Sequence, residues 1–190
     1  MPSPVLIVEH GQPHSDIITW LGVYRAATPF VMVGDNATVR LDADNEPQPD
    51  ALLRIAAEAG GRSSIDEEGY VAGPPELIAE IVASSAAYDL HDKKQAYRRN
   101  GVLEYLAWLV YERRIDWFVL TEGKYELLES SPRRVFQSPT FPGLWLDAEA
   151  LLAGNLPGVL TTLQEGLDSD AHRTFAAILK EKANHGGRIG

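Results

Sequence analysis

The 190-residue chain contains no cysteine, which excludes disulfides and thiolate metal sites. It also has no apolar run near the roughly 20 residues needed to span a membrane. The start, Met1-Pro2-Ser3-Pro4, lacks the basic stretch and cleavage pattern of a signal peptide. These absences lead us to expect a cytoplasmic protein with no membrane partner. Positive charge is scarce as well: 17 Lys and Arg against 27 Asp and Glu give 17 − 27 = −10. A surface of that sign disfavours indiscriminate nucleic-acid binding, so any contact with DNA needs a local basic patch. No metal-ligand spacing such as His-x-x-x-His is expected among the five histidines. The Gly60-Gly61-Arg62-Ser63-Ser64 stretch lacks the Lys and following helix of a phosphate loop.

Apolar residues are plentiful at 45%, enough to build one well-buried domain with a terminal extension. After the short apolar piece Val5 to Val8, the residues Ile17, Ile18, Leu21 and Tyr24 recur at helical spacing from His14 to Ala27. Ser15 or Asp16 is the expected cap, and Pro29 the stop. Phe30 to Val33 and Thr38 to Leu41 read as two strands of a hairpin turning at Gly34-Asp35-Asn36. Ala51 to Ile55 reads as a strand, Ala56 to Gly73 as a loop, and Leu77 to Ala83 as a buried strand. A helix from Asp89 to Asn100 follows, ended by Gly101 and with Ser84-Ser85 expected to cap it. Three more strands are expected at Tyr105 to Val110, Asp116 to Leu120 and Tyr125 to Leu128. Helices are expected over 147–153 and 159–167 and around Phe175 to Lys182. This order is α/β or α+β rather than a regular βαβ array.

One residue conflicts with the buried strand. Glu80 stands inside the apolar run, and an ionised carboxylate in a core costs several kcal/mol unless a cation or donors meet it. Asp50 opens the preceding strand. If the two strands are neighbours, both carboxylates converge on one hard cation, with the backbone carbonyl of Ile81 beside Glu80 as a third oxygen. Lys93 falls within the apolar stripe of the following helix, facing the sheet, while Lys94 lies nearer its edge and Arg98 and Arg99 extend a basic cluster. Taken singly, each has a plain reading. Asp50 is a turn residue, Glu80 a structural ion-pair partner, Lys93 a side chain that snorkels to water. Together and in this order they mark a site.

The matching residues are Pro49-Asp50, Pro75-Glu76-Leu77-Ile78-Ala79-Glu80-Ile81-Val82, Asp89-Leu90-His91-Asp92-Lys93, Tyr97 and Gly101-Val102-Leu103-Glu104-Tyr105. In this order they resemble the Uma-type family of restriction endonuclease-like proteins, within the PD-(D/E)XK nuclease superfamily, over roughly residues 14 to 147. Leu106 stands where that family usually has Trp. The resemblance implies a restriction-endonuclease-like mixed β-sheet flanked by helices, with a nuclease-like domain over 1–147 and a helical extension, 148–190, packed on it. It implies Mg²⁺, with Mn²⁺ as an alternative, held by Asp50, Glu80 and Ile81. It also implies Lys93 as the superfamily's lysine, displaced onto the helix. Lys94, Tyr97 and Arg98 are the expected substrate contacts, DNA the expected partner, and a homodimer the expected assembly. The activity implied is metal-dependent hydrolysis of DNA phosphodiester bonds. The alternative is a nuclease fold without turnover that binds partners or itself.

Overall fold

The computed structural model describes residues 7–43, 45–83 and 87–186. The chain enters on a π-helical turn, Ile7–Gly11, that runs directly into helix α1, Gln12–Ala27. Pro13 explains the wide first turn. With no N–H and a ring that crowds the carbonyl four residues back, it cannot close an α-turn there. The helix therefore begins before the expected Ser15 or Asp16 cap, with Gly11 as N-cap and no side-chain bond. Asp16 is instead buried inside α1 and accepts from Gln12 Nε2 at 2.9 Å.

Strand β1, Val31–Asp35, and strand β2, Val39–Arg40, follow. They are not the two arms of a hairpin. β1 pairs antiparallel with β3, Ala51–Ile55, whereas β2 joins a small second sheet with β4, Ser64–Ile65, and β5, Val71–Ala72. Asn36 explains the departure. It adopts φ 48°, and its N–H bonds to Asp50 O at 3.2 Å, so the turn hands β1 to β3 and leads the chain away. The 56–73 stretch, expected as a loop, carries β4, β5 and a 3-10 turn, Ala57–Ala59. Glu76 pins it from below: the buried carboxylate accepts Ile55 N at 2.8 Å and Arg62 N at 2.9 Å.

The apolar run becomes β6, Leu77–Val82, followed by helix α2, Ala87–Asn100, and β7, Glu104–Leu109. β6 and β7 are parallel, the helix crossing between them, and Gly101 at φ 80° ends that helix. The Ser84-Ser85 cap lies outside the described residues. β8, Arg114–Thr121, and β9, Lys124–Leu127, continue antiparallel and complete a six-stranded sheet ordered β1-β3-β6-β7-β8-β9. A two-stranded ribbon that the alternation of the sequence does not announce, β10 Val135–Gln137 with β11 Trp145–Asp147, leads into α3, Ala148–Leu152. The last helices are α4, Leu156–Leu167, and α5, Asp170–Gly186. The architecture is a mixed α+β sheet flanked by helices.

β6 is buried on both faces, which accounts for its unbroken apolar sequence. Leu77, Ala79 and Ile81 point into a core with Ile17, Trp20 and Leu21 of α1 and with Leu163 of α4. Ile78 points the other way, into a second core with Leu52, Tyr97 and Tyr105. Helix α5 packs part of its apolar face on its own chain, where Leu179 is buried and Phe175 meets Phe141 edge-on at 6.4 Å, while Ile178 stays 43% exposed.

Candidate active site

The register of β3 against β6 pairs Ala51 with Ala79 and Leu52 with Ile78. One step further places Asp50 opposite Glu80 at the end of the ladder. Alternation puts both on the α2 side, with Leu52 and Ile78. Two carboxylates far apart in sequence thus become cross-strand neighbours because two apolar strands pair.

Each is held by different means. Asp50 Oδ2 accepts the Ile81 backbone N–H at 2.7 Å. Its Oδ1 lies 3.3 Å from His10 Nε2. Glu80, only 4% exposed, accepts the Tyr97 hydroxyl on Oε1 at 2.6 Å and the Lys93 ammonium on Oε2 at 3.1 Å. Burial pushes the Glu80 carboxyl above its ordinary range; Lys93 and then the Tyr97 hydroxyl oppose that push, and Asp50 adds to it. The helical phase that faces Lys93 to the sheet therefore delivers its ammonium to the one carboxylate in the strand.

The expected substrate contacts divide. Tyr97 is fully buried and spends its hydroxyl on Glu80, so it stands behind the carboxylate rather than on an open surface. Burial, then Glu80, drives its own pKa far up. Lys94 rests its ammonium 3.2 Å from the centroid of the Phe118 ring, and burial lowers its pKa against the pull of Asp116. Arg98 bonds Gln95 Oε1 at 3.0 Å and the Gly123 carbonyl at 2.8 Å, at the far end of α2. A cleft lined by Asn45, Glu46 and Pro47 on one side and by Asp92, Lys93 and Ala96 on the other, with the buried Tyr97 at its base, opens beside Lys93. Ile81 contributes its N–H to the site, and its side chain packs in the opposite core.

A family model described as "Putative restriction endonuclease", Uma2, matches residues 2–149. The chain belongs to the Uma2 family. The match reaches further toward the N-terminus than the motifs from residue 14 onward. Nothing among curated proteins matches the chain. Among solved structures it is similar to one described as a putative nuclease belonging to DUF820 from Anabaena variabilis, at 14% identity with a TM-score of 0.60, covering 81% of this chain and 84% of that one. At that identity the likeness bears on the fold alone.

In this Uma2 chain the expectation of no His-x-x-x-His spacing fails, because His10-Gly11-Gln12-Pro13-His14 has it and both rings meet Asp50. His10 and His14 stand four apart, the spacing that stacks two side chains on one helical face. Their rings lie 5.8 Å apart at Asp50. His14 Nε2 lies 2.9 Å from the Asp50 carbonyl oxygen and 3.1 Å from Asp35 Oδ1. The spacing was the available signal, hidden by the proline and by a helix start placed too late.

Proposed function

We propose that this chain is a divalent-metal-dependent nuclease that hydrolyses DNA phosphodiester bonds. The observation that carries it is the Asp50 carboxylate, anchored to the Ile81 N–H beside a Glu80 that meets Lys93. A buried ion pair serving stability alone would not need a second carboxylate across the ladder, since like charges there are destabilising. Among the described residues no group of three or more His, Asp or Glu side chains is placed to hold a metal ion, so the site offers two carboxylates at most. The donors at hand are Asp50, Glu80 and the Ile81 carbonyl, hard oxygens that suit Mg²⁺ or Mn²⁺ completed by water.

An ion held there supplies a water of lowered pKa and neutralises charge on a phosphoryl oxygen. The residues do the rest. Asp50 offers Oδ1 while its other oxygen stays fixed, and Tyr97 and Lys93 hold Glu80 so that it cannot swing into the core. The Lys93 ammonium, a third exposed, reaches the cleft to orient the attacking water and meet the charge that builds on the phosphate. Water adds to phosphorus, the P–O bond to the leaving sugar oxygen breaks, and that oxygen takes up a proton. Lys94 and Arg98, both on the β8–β9 side of α2, would meet the DNA backbone there. DNA cutting on both strands calls for two copies, so the reading includes a homodimer and a cytoplasmic site of action. Light scattering on the full chain checks the first.

Cleavage of plasmid DNA with Mg²⁺ or Mn²⁺, lost in Asp50→Ala, is the expected result. Binding of DNA without cleavage by the wild type would instead favour a nuclease fold that acts as a binding module.

A further inference from the structure

Asp16 takes no part in the proposed hydrolysis, yet it is only 4% exposed. Among the described residues its carboxylate meets a single donor, the neutral amide of Gln12 at 2.9 Å. A buried carboxylate so placed lacks the cation or the set of donors that its burial calls for. Elsewhere this chain answers that need: Glu80 accepts from Tyr97 and Lys93, and Glu104 from Trp117, Ser138 and Thr140. Asp16 instead lines a half-open cavity of about 290 Å³. Its other walls are Trp108 and Val110 at the end of β7, Leu151 and Leu152 of α3, and Arg113 in the turn before β8. Trp108 pairs with Ile81 in the ladder and shares its core on the α1 side. The cavity is therefore on the face of the sheet opposite Glu80 and Lys93.

We propose that this cavity binds a small zwitterion of the α-amino acid class with an aliphatic side chain. Asp16 supplies the acceptor for an ammonium group, and the indole of Trp108 beside it favours the same sign of charge. A plain amine would leave Arg113 unanswered. That guanidinium is exposed at the rim and makes one long bond, 3.4 Å, to the Leu152 carbonyl. A carboxylate on the same molecule meets it. Val110, Leu151 and Leu152 form the wall for the side chain. The volume lies at the lower end of the roughly 300–1,000 Å³ that ligand sites span, which limits the occupant to a small molecule. Such a ligand braces the first turn of α1 against β7 and α3. Neither metal nor DNA enters the argument, so the proposal stands apart from the nuclease reading.

The competing arrangement is closure of Arg113 onto Asp16, which would pair the two charges and leave nothing for a ligand. The test is calorimetric titration of the full chain with three probes. L-leucine carries both charges, isoamylamine the ammonium alone and isovalerate the carboxylate alone. Wild type is expected to bind L-leucine with a dissociation constant of about 1 mM or below. Isoamylamine is expected to bind at least about tenfold more weakly, and isovalerate not measurably. Asp16→Asn keeps the shape and an acceptor for Gln12, and is expected to weaken L-leucine at least about tenfold. Arg113→Ala, at an exposed position, is expected to weaken L-leucine and to leave isoamylamine unchanged or tighter. Circular dichroism of both variants shows that each is folded. No binding of L-leucine by wild type, equal affinity in Asp16→Asn, or isoamylamine bound as tightly as L-leucine by wild type overturns the proposal. L-leucine binding that survives Arg113→Ala unchanged overturns it as well, because the carboxylate would then have no partner in the cavity.

Discussion

The Lys93 ammonium lies 3.1 Å from Glu80 Oε2, and the two side chains differ sharply in exposure, 32% against 6%. The pair straddles the boundary between core and cleft. The carboxylate is committed, and the cation is still able to reach out.

Lys93→Ala is expected to abolish single-turnover cleavage while Mn²⁺ still binds. It leaves Glu80 with the Tyr97 hydroxyl alone, at a cost of about 1–2 kcal/mol, because Lys93 is partly screened by water. Lys94→Ala is expected to keep the chemical step, to weaken DNA binding and to lower its salt slope by about 1. Cleavage rates at saturating enzyme and binding titrations at several salt concentrations separate the two. A larger loss of chemistry in Lys94→Ala would reverse their roles.

Glu80 makes the metal-free fold sensitive to pH. Its carboxyl titrates above its ordinary value of 4.5 because burial disfavours the charged form. For an acid raised in the folded state, the stabilisation is present in full below the unfolded value and is lost as pH climbs through the folded one. Glu80→Gln keeps an acceptor for Tyr97 and removes the charge. At pH 7 without metal it is expected to unfold about 2–4 °C higher, corresponding to about 1 kcal/mol. The gain should shrink toward pH 4.5. Calorimetric scans across that range check it, and a gain that grows on acidification would contradict it.

A divalent cation relieves the same strain by mass action. Mn²⁺ at about 100 times its dissociation constant is expected to add about 2.7 kcal/mol to wild type. The Asp50→Ala/Glu80→Ala double mutant should gain nothing. Equal shifts of the thermal midpoint in both proteins would place the metal elsewhere.

Glu104 is a buried carboxylate of another kind. It accepts Trp117 Nε1 at 2.7 Å, Ser138 Oγ at 2.7 Å and Thr140 N at 2.8 Å. Burial raises its pKa, and the donors from Ser138, Thr140 and Trp117 pull it back. Here the isosteric amide is expected to harm: Glu104→Gln turns an N–H toward the Trp117 N–H and orphans it. Chemical denaturation should show a loss of about 1–3 kcal/mol. A neutral result would mean that the amide finds an arrangement that satisfies all three donors.

The sequence showed the parts of the site that depend on short-range pattern. The apolar run around Glu80 marks a strand buried on both faces, and helical phase carries Lys93 to it, because 13 residues and a single crossover separate the two. Asp50 was legible as a strand-opening carboxylate, but its place opposite Glu80 depends on which strands pair. That same long-range choice defeated the hairpin at Gly34-Asp35-Asn36, whose local turn chemistry was sound while the partner of Val31–Asp35 was Ala51–Ile55. The two-residue strands Val39–Arg40 and Val71–Ala72 are too short to carry any period. The spacing of His10 and His14 was passed over because it spans Pro13, ahead of the expected helix start, whereas the chain runs through Pro13 on a widened turn.

The sheet also sorts the chromophores of the protein. Trp20, Trp108 and Trp117 all belong to the core on the α1 side, and Trp145 sits on β11 against Gly166 of α4. Trp20 and Trp117 meet edge-on at 5.9 Å and 88°. The side that holds Glu80 and Lys93 is lined instead by Tyr97, Tyr105, Phe118 and Tyr125. Light absorbed at the red edge of the spectrum, where only indoles respond, therefore follows the docking of the first helix and the last ones, and it is nearly blind to the layer beneath the carboxylates. A refolding trace taken there times one half of the molecule, and a tryptophan placed at Phe118 would start a second clock for the other.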